Sequence, residues 1–148
     1  MRSATRHGDD GAWRVEAGSR PDQRPEAYGL RGMVACAHPV ATFVGLGVLQ
    51  RGGNAFDAAI AVAAAEGVLL PMMCGLGGDA FALLYDARRR EVVGLNGSGA
   101  AAAGATRDYY LGRGFQKMPL EGVHAVSVPG AVHLYETLWK RYGTLPWA

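Results

Sequence analysis

Gly75, Gly77 and Ala80, within the stretch MCGLGGDAFALLYD, spell G-x-G-x-x-A, one form of the fingerprint that seats a dinucleotide pyrophosphate on a helix N-terminus. That chemistry needs a strand before the glycines and a helix after them. Here the order is reversed. The Ala-rich run Asn54 to Pro71 reads as helix, and Phe81 to Asp86, short and apolar, reads as a buried strand. Lys and Ser/Thr are also absent from the positions a phosphate-binding P-loop uses. The glycine run is therefore expected to be a helix-to-strand turn where backbones approach closely, and no nucleotide site is expected. Cys36 and Cys74 are the only cysteines, form no C-x-x-C, and are expected to be buried, unpaired thiols. His7, His38, His124 and His133 show no H-E-x-x-H or comparable spacing, so no metal site is expected. Arg88 to Arg90 read as a solvated turn.

The chain has 148 residues, 49% hydrophobic and 19% charged, which suits one domain or a piece of a larger one with a sizeable core. A net charge of +2 is too small to argue for a nucleic-acid or anionic-membrane partner. No uninterrupted run of about 18 apolar residues reads as a membrane span. Residues 1–28 mix Arg with Asp and Glu and contain no apolar stretch of signal-peptide length; they are expected to form a mobile polar arm. A cytoplasmic compartment is the corresponding expectation, with ordered structure from 29 to 148.

The elements that would hold any site follow from local patterns. Gly32 to Ala37 reads as a short strand ended by His38-Pro39, and Pro39 fits the first turn of a helix. Val40, Phe43, Val44, Gly47 and Val48 form the expected buried stripe of that helix, which Gly52-Gly53 closes. Asn54 is a good N-cap for a second helix, expected to be buried nearly all round because Glu66 is its one charge beyond the start. Phe81 to Asp86 and Glu91 to Leu95 form a hairpin. Thr106 caps a short helix through Tyr110, and Ala125 to Val128 reads as a strand stopped by Pro129-Gly130. Tyr135, Leu138, Trp139 and Tyr142 stripe a last helix closed by Gly143. Trp147 then stands uncovered beside the last residue, an apolar ending expected of a truncated chain. The order of elements implies an α+β fold, helices packed on a mostly antiparallel sheet.

Six stretches taken together resemble the gamma-glutamyltranspeptidase family: GMVACAHPVAT, GLGVLQRGGNAFDAAIAVAAAEGVLLP, GLGGDAFALLYD, ATRDYYL, SVPGAV and RYGTLPW. In this order, Gly32 to Trp147, they cover nearly the whole chain after the arm. The resemblance implies an N-terminal nucleophile hydrolase with an αββα sandwich, of which this chain is the opening part of the large subunit. It also implies self-cleavage before a Thr whose new amino group and hydroxyl serve as base and nucleophile, since a hydroxyl without an adjacent base is a poor nucleophile. That Thr and the oxyanion-stabilising glycines of the family lie downstream of this chain. Thr5, Thr42, Thr106, Thr137 and Thr144 stand outside any self-cleavage context, so no catalytic residue is assigned here and this segment alone is expected to be inactive. No cofactor is implied. The implied partners are the rest of the large subunit, the small subunit and a small amide or gamma-glutamyl substrate.

In the transpeptidases an Arg-Glu pair after the hairpin is followed shortly by Ala-Pro, and the Arg grips the substrate alpha-carboxylate. Counting back from ATRD, Ser98 stands for that Arg, Gly99 for the Glu and Ala102 for the Pro. The resemblance thus implies that Asn96, Ser98 and Gly99 border the acyl-binding pocket, although Asn96-Gly97-Ser98-Gly99 is equally well composed for a plain turn. A hydroxyl offers one neutral donor where a guanidinium offers two charge-assisted ones, each worth roughly 1.5–3 kcal/mol, so a glutamyl substrate loses about ten- to several-hundred-fold. Altered acyl specificity is expected, as in acylases or members resembling oxamate amidohydrolase. Arg107 or Arg113 swinging in is the rescue to test. The alternative is a degenerate homologue that acts only as a structural or binding piece.

Overall fold

The computed structural model describes Thr5–Arg6, Trp13–Arg14 and residues 26–147, in two compact units divided after Leu30. The first unit holds β1 (Thr5–Arg6) and β2 (Trp13–Arg14), paired antiparallel. The rest of the expected arm over 1–28 lies largely outside the described residues.

The second unit is a serial stack. Helix α1 (Pro39–Gln50) packs on α2 (Ala55–Leu69), α2 on α4 (Ala131–Tyr142), and α4 on the hairpin of β3 (Ala80–Asp86) and β4 (Glu91–Gly97). The short helix α3 (Arg107–Leu111) and a 3-10 turn (Val123–Ala125) follow the hairpin. The fold is α+β, with an antiparallel two-stranded sheet in this unit.

Local chemistry explains the boundaries. The His38 ring accepts the Val40 amide at the start of α1, where Pro39 has no N–H to satisfy. Gly52, at φ 89°, turns the chain between α1 and α2. Asn54 and Asp57 form a capping box: the Asn54 side chain accepts the Phe56 and Asp57 amides at 2.9 and 3.0 Å, and Asp57 Oδ2 accepts the Asn54 amide at 3.0 Å. The same two side chains hold the far end of the unit. Asn54 Nδ2 donates to the Tyr142 carbonyl at 2.6 Å, and Asp57 accepts the Thr144 hydroxyl at 2.7 Å and the Thr144 amide at 3.1 Å. Glu66, the one charge within α2 beyond its first turn, accepts the Ala37 amide at 3.0 Å and so fixes the segment entering α1.

The core centres on Leu84, Leu134 and Leu138, flanked by Phe56, Ile60 and Val93. Along β3 burial alternates: Ala80, Ala82 and Leu84 face the helices, whereas Phe81, Leu83 and Tyr85 are exposed. Val92 of β4, directly opposite Tyr85, extends this bare apolar face.

Several expectations need correction. The buried residues of α1 are Ala41, Gly45 and Val48, whereas Val40, Phe43 and Val44 are exposed. The reason is close approach: a Cβ on Gly45 would lie 2.6 Å from Val62 Cγ2, so small residues face α2. Helix α2 is mostly half-buried, with only Asp57, Ala58 and Val62 fully enclosed. Gly32 to Ala37 and Ala125 to Val128 are not strands, because neither finds a ladder partner among the described residues. Trp147 is exposed, as expected, although its ring lies 5.3 Å from that of Trp139.

The hairpin runs two residues further than expected, to Gly97, which pairs with Ala80. Its turn is exposed, as the arginines suggested: Asp86 Oδ1 accepts the Arg88 and Arg89 amides, and Arg90 adopts φ 58°. Cys36 and Cys74 are free and half-buried rather than buried. No helix among the described residues is long and apolar enough to cross a membrane.

Candidate functional site

The glycine run joins α2 to β3, and its end meets two other segments. The Gly78 carbonyl accepts the Gly130 and Ala131 amides at 3.1 and 3.0 Å. A backbone carbonyl thus occupies the N-terminus of α4, which has no side-chain cap. Asp79, the next residue, bridges the other two segments. Its Oδ1 accepts the Gly99 amide at 3.2 Å, and its Oδ2 accepts the Ser127 hydroxyl at 3.3 Å.

The hairpin exit Asn96 to Gly99 therefore sits between Gly78-Asp79 and Ser127 to Ala131. Asn96 Oδ1 accepts the Ser98 amide at 2.9 Å, which turns the chain out of β4. The Gly99 Cα packs against the Val128 carbonyl, and the Gly130 Cα against the Gly97 carbonyl, so closely that a Cβ on either glycine would overlap them. These glycines are required by the crossing of backbones. Of the three expected pocket residues, Asn96 shapes the turn, Gly99 anchors it to Asp79, and Ser98 is left exposed at its tip. The Ser98 hydroxyl has no hydrogen bond among the described residues.

Beyond Gly99 and Ser127 opens a cavity of about 1260 Å³, lined among others by Arg107, Lys117, His124, Tyr110 and Phe115, and by no carboxylate. The His124 ring stands edge-on to Tyr110 and Phe115, with centroids 5.6 and 5.4 Å away. Neither candidate replacement cation is committed to Ser98. The Arg113 guanidinium lies 3.7 Å from the centre of the Tyr109 ring, a cation–π contact, and Arg107 is exposed beside Asp108 at 4.0 Å.

Several threonine hydroxyls make local contacts. Thr42 and Thr137 donate to the carbonyls one turn back, Thr106 accepts the Tyr109 amide at the cap of α3, and Thr144 donates to Asp57. No cluster of metal-ligating side chains gathers among the described residues.

Asp79 and Ser127 are the residues that sequence reasoning missed. No local signal marks either one: Asp79 meets Gly99 and Ser127 only because the hairpin exit and the segment before α4 come together beside it.

Residues 41–148 match the family model for gamma-glutamyltranspeptidase. The chain belongs to the gamma-glutamyltranspeptidase family. It is 42% identical over 118 residues to the "Glutathione hydrolase-like YwrD proenzyme" of Bacillus subtilis (strain 168), covering 79% of this chain and 22% of that protein. Among solved structures it resembles the cephalosporin acylase from Bacillus halodurans, with a TM-score of 0.80 and 44% identity over 86% of this chain and 24% of that one. The Helicobacter pylori gamma-glutamyltranspeptidase matches with a TM-score of 0.74 and 35% identity over 82% and 35%. The chain thus spans about a fifth to a third of the length of these relatives, which are enzymes, one of them a proenzyme. In this chain the G-x-G-x-x-A run is the loop that enters β3.

Proposed function

We propose that this chain is the N-terminal part of the large subunit of a self-processing amide hydrolase or acyl transferase whose acyl specificity differs from that of the gamma-glutamyl enzymes. The observation that carries the reading is the hairpin exit: Ser98 stands at the tip of a loop pinned by Asn96 and Asp79, where the family's carboxylate-binding Arg is expected. The nucleophilic Thr and the oxyanion donors would come from the remainder of the protein, so this segment alone contributes acyl recognition and no chemistry. The remainder would also complete an αββα sandwich by covering the apolar face of Phe81, Leu83, Tyr85 and Val92. Similarity to a cephalosporin acylase and to a glutathione hydrolase-like proenzyme supports an amide substrate and leaves its acyl group open.

Two measurements test this. The full-length gene product, held at neutral pH and weighed under denaturing conditions, should appear as two chains, the smaller beginning with Thr. A single uncut chain would mean a degenerate member of the family. Ser98→Arg should then raise kcat/KM for gamma-glutamyl substrates by about ten-fold or more, the lower end of the charge-assisted hydrogen-bond difference. No gain would show that the loop does not meet the acyl group.

A further inference from the structure

The cavity that opens beyond Gly99 and Ser127 carries charge of one sign. Arg107 and Lys117 line it together with His124, and no carboxylate does. Asp79 holds Gly99 and Ser127 from outside that lining, with one oxygen on the Gly99 amide and the other on the Ser127 hydroxyl. Lys117 forms no ion pair among the described residues. Arg107 forms one, to Asp108 at 4.0 Å, between two exposed side chains, and Asp108 is also outside the lining. An exposed pair this long holds a guanidinium only weakly. The cavity thus presents two cations with no anion inside to answer them.

The rest of its wall is apolar and flat. The Tyr110, Phe115 and His124 rings meet edge to face, with centroids 5.4, 5.6 and 6.0 Å apart. Val126 and Val128 add aliphatic surface. A volume of about 1260 Å³ exceeds the roughly 300–1,000 Å³ of an ordinary ligand pocket, so a bulky group fits. Gly99 belongs to the lining and Ser98 does not, so the cavity begins past the tip of the hairpin exit.

We propose that this cavity is a subsite for an aromatic carboxylate carried by the amide substrate: Lys117 and Arg107 answer the carboxylate, and the Tyr110, Phe115 and His124 rings receive the aromatic body. This rests on the function proposed above and names the substrate class, an amide with a bulky apolar group that ends in an anion. Ser98 in place of Arg weakens recognition of a carboxylate at the loop, and the cavity supplies it farther along. A carboxylate about 5 Å from one cation gains about four-fold in affinity even at the dielectric of bulk water, and more where the walls exclude water.

The test titrates the full-length protein at low salt with 2-naphthoate and with its neutral counterpart 2-naphthamide, read by calorimetry. The carboxylate should bind about ten-fold tighter or more. Lys117→Met and Arg107→Met keep the stem and remove the charge, at exposed positions where the fold does not depend on it. Each should cut the preference for 2-naphthoate about four-fold, and the double variant should abolish it, with 2-naphthamide affinity unchanged. Arg88→Met, which removes a cation of the hairpin turn outside the lining, should alter neither affinity. Phe115→Ala should weaken both probes alike, because it removes apolar surface and no charge. In the processed protein, 2-naphthoate should inhibit p-nitroanilide turnover by raising KM alone. Equal binding of the two probes, a preference that survives the double variant, or inhibition that lowers kcat without raising KM would each overturn the proposal. The binding measurement needs no turnover. A chain that prefers 2-naphthoate in this way, yet neither cleaves itself nor hydrolyses any amide, would overturn the function proposed above and leave the anion site standing as a ligand site.

Discussion

Asp57→Ala should be among the most damaging single changes outside the hydrophobic core. The side chain is only 8% exposed and accepts from the Asn54, Thr144 and Leu145 amides and the Thr144 hydroxyl. It closes the cap of α2 and ties that helix to the segment after α4, across 87 residues of sequence. The two closest Thr144 contacts, at 2.7 and 3.1 Å, are hydrogen bonds to a charged acceptor. At roughly 1.5 kcal/mol each they give about 3 kcal/mol, with about 1 kcal/mol more for the cap. Because Asp57 keeps some solvent exposure, which weakens charged hydrogen bonds, we expect a loss of about 3 kcal/mol. With a urea m-value of about 1.5 kcal/mol/M, that is a downward shift of about 2 M in the unfolding midpoint. The pH dependence gives a second reading. Burial acts to raise the Asp57 pKa, but the Thr144 hydroxyl and then the Asn54, Thr144 and Leu145 amides outweigh it, and the net pKa lies below the ordinary 3.8. A folded-state pKa below the unfolded one means the stabilisation is complete above about pH 4 and is lost as pH falls through the lower, folded value. The gap between wild type and Asp57→Asn should therefore be full at pH 7 and close in acid. A double-mutant cycle with Thr144→Val should show more than about 1 kcal/mol of coupling. Coincident midpoints at pH 7, or a gap that persists undiminished at pH 2, would refute the reasoning.

Two further outcomes follow from the packing. Gly99→Ala would drive a Cβ into the Val128 carbonyl; the hairpin exit must move, and amide turnover by the processed protein should fall by more than ten-fold while the secondary structure read by circular dichroism is retained. Turnover equal to wild type would mean that this crossing does not position the acyl pocket. Leu83→Lys, on the bare face of β3 where Leu83 is 80% exposed, should improve the solubility of the 148-residue chain yet prevent maturation of the full-length protein. If the full-length variant matures normally, nothing apolar covers that face.

Much of the scaffold was legible in local signals, because caps and turns are set by neighbours in sequence. Asn54 and Thr106 begin helices as their side chains require, and the alternation along Ala80 to Asp86 fixes which face of β3 is inward. The inward face of α1 was not legible. That helix is apolar on every side, so periodicity cannot choose among its faces, and the choice fell to the small residues Ala41 and Gly45 that let α2 come close. The strands expected at Gly32 to Ala37 and Ala125 to Val128 failed for a related reason: a strand exists only with a partner, and pairing is not a local property.

By itself, then, the sequence determined where helices begin and end, where the hairpin lies, the reversed order that rules the glycine run out as a nucleotide fingerprint, and the absence of the expected Arg from the loop at Ser98. Only the tertiary structure brought Asp79, Gly99 and Ser127 from three separate segments into contact, and joined Asp57 to Thr144. Those contacts depend on which backbones cross closely enough for glycine alone to fit, and such distances are set by the packing of the whole unit.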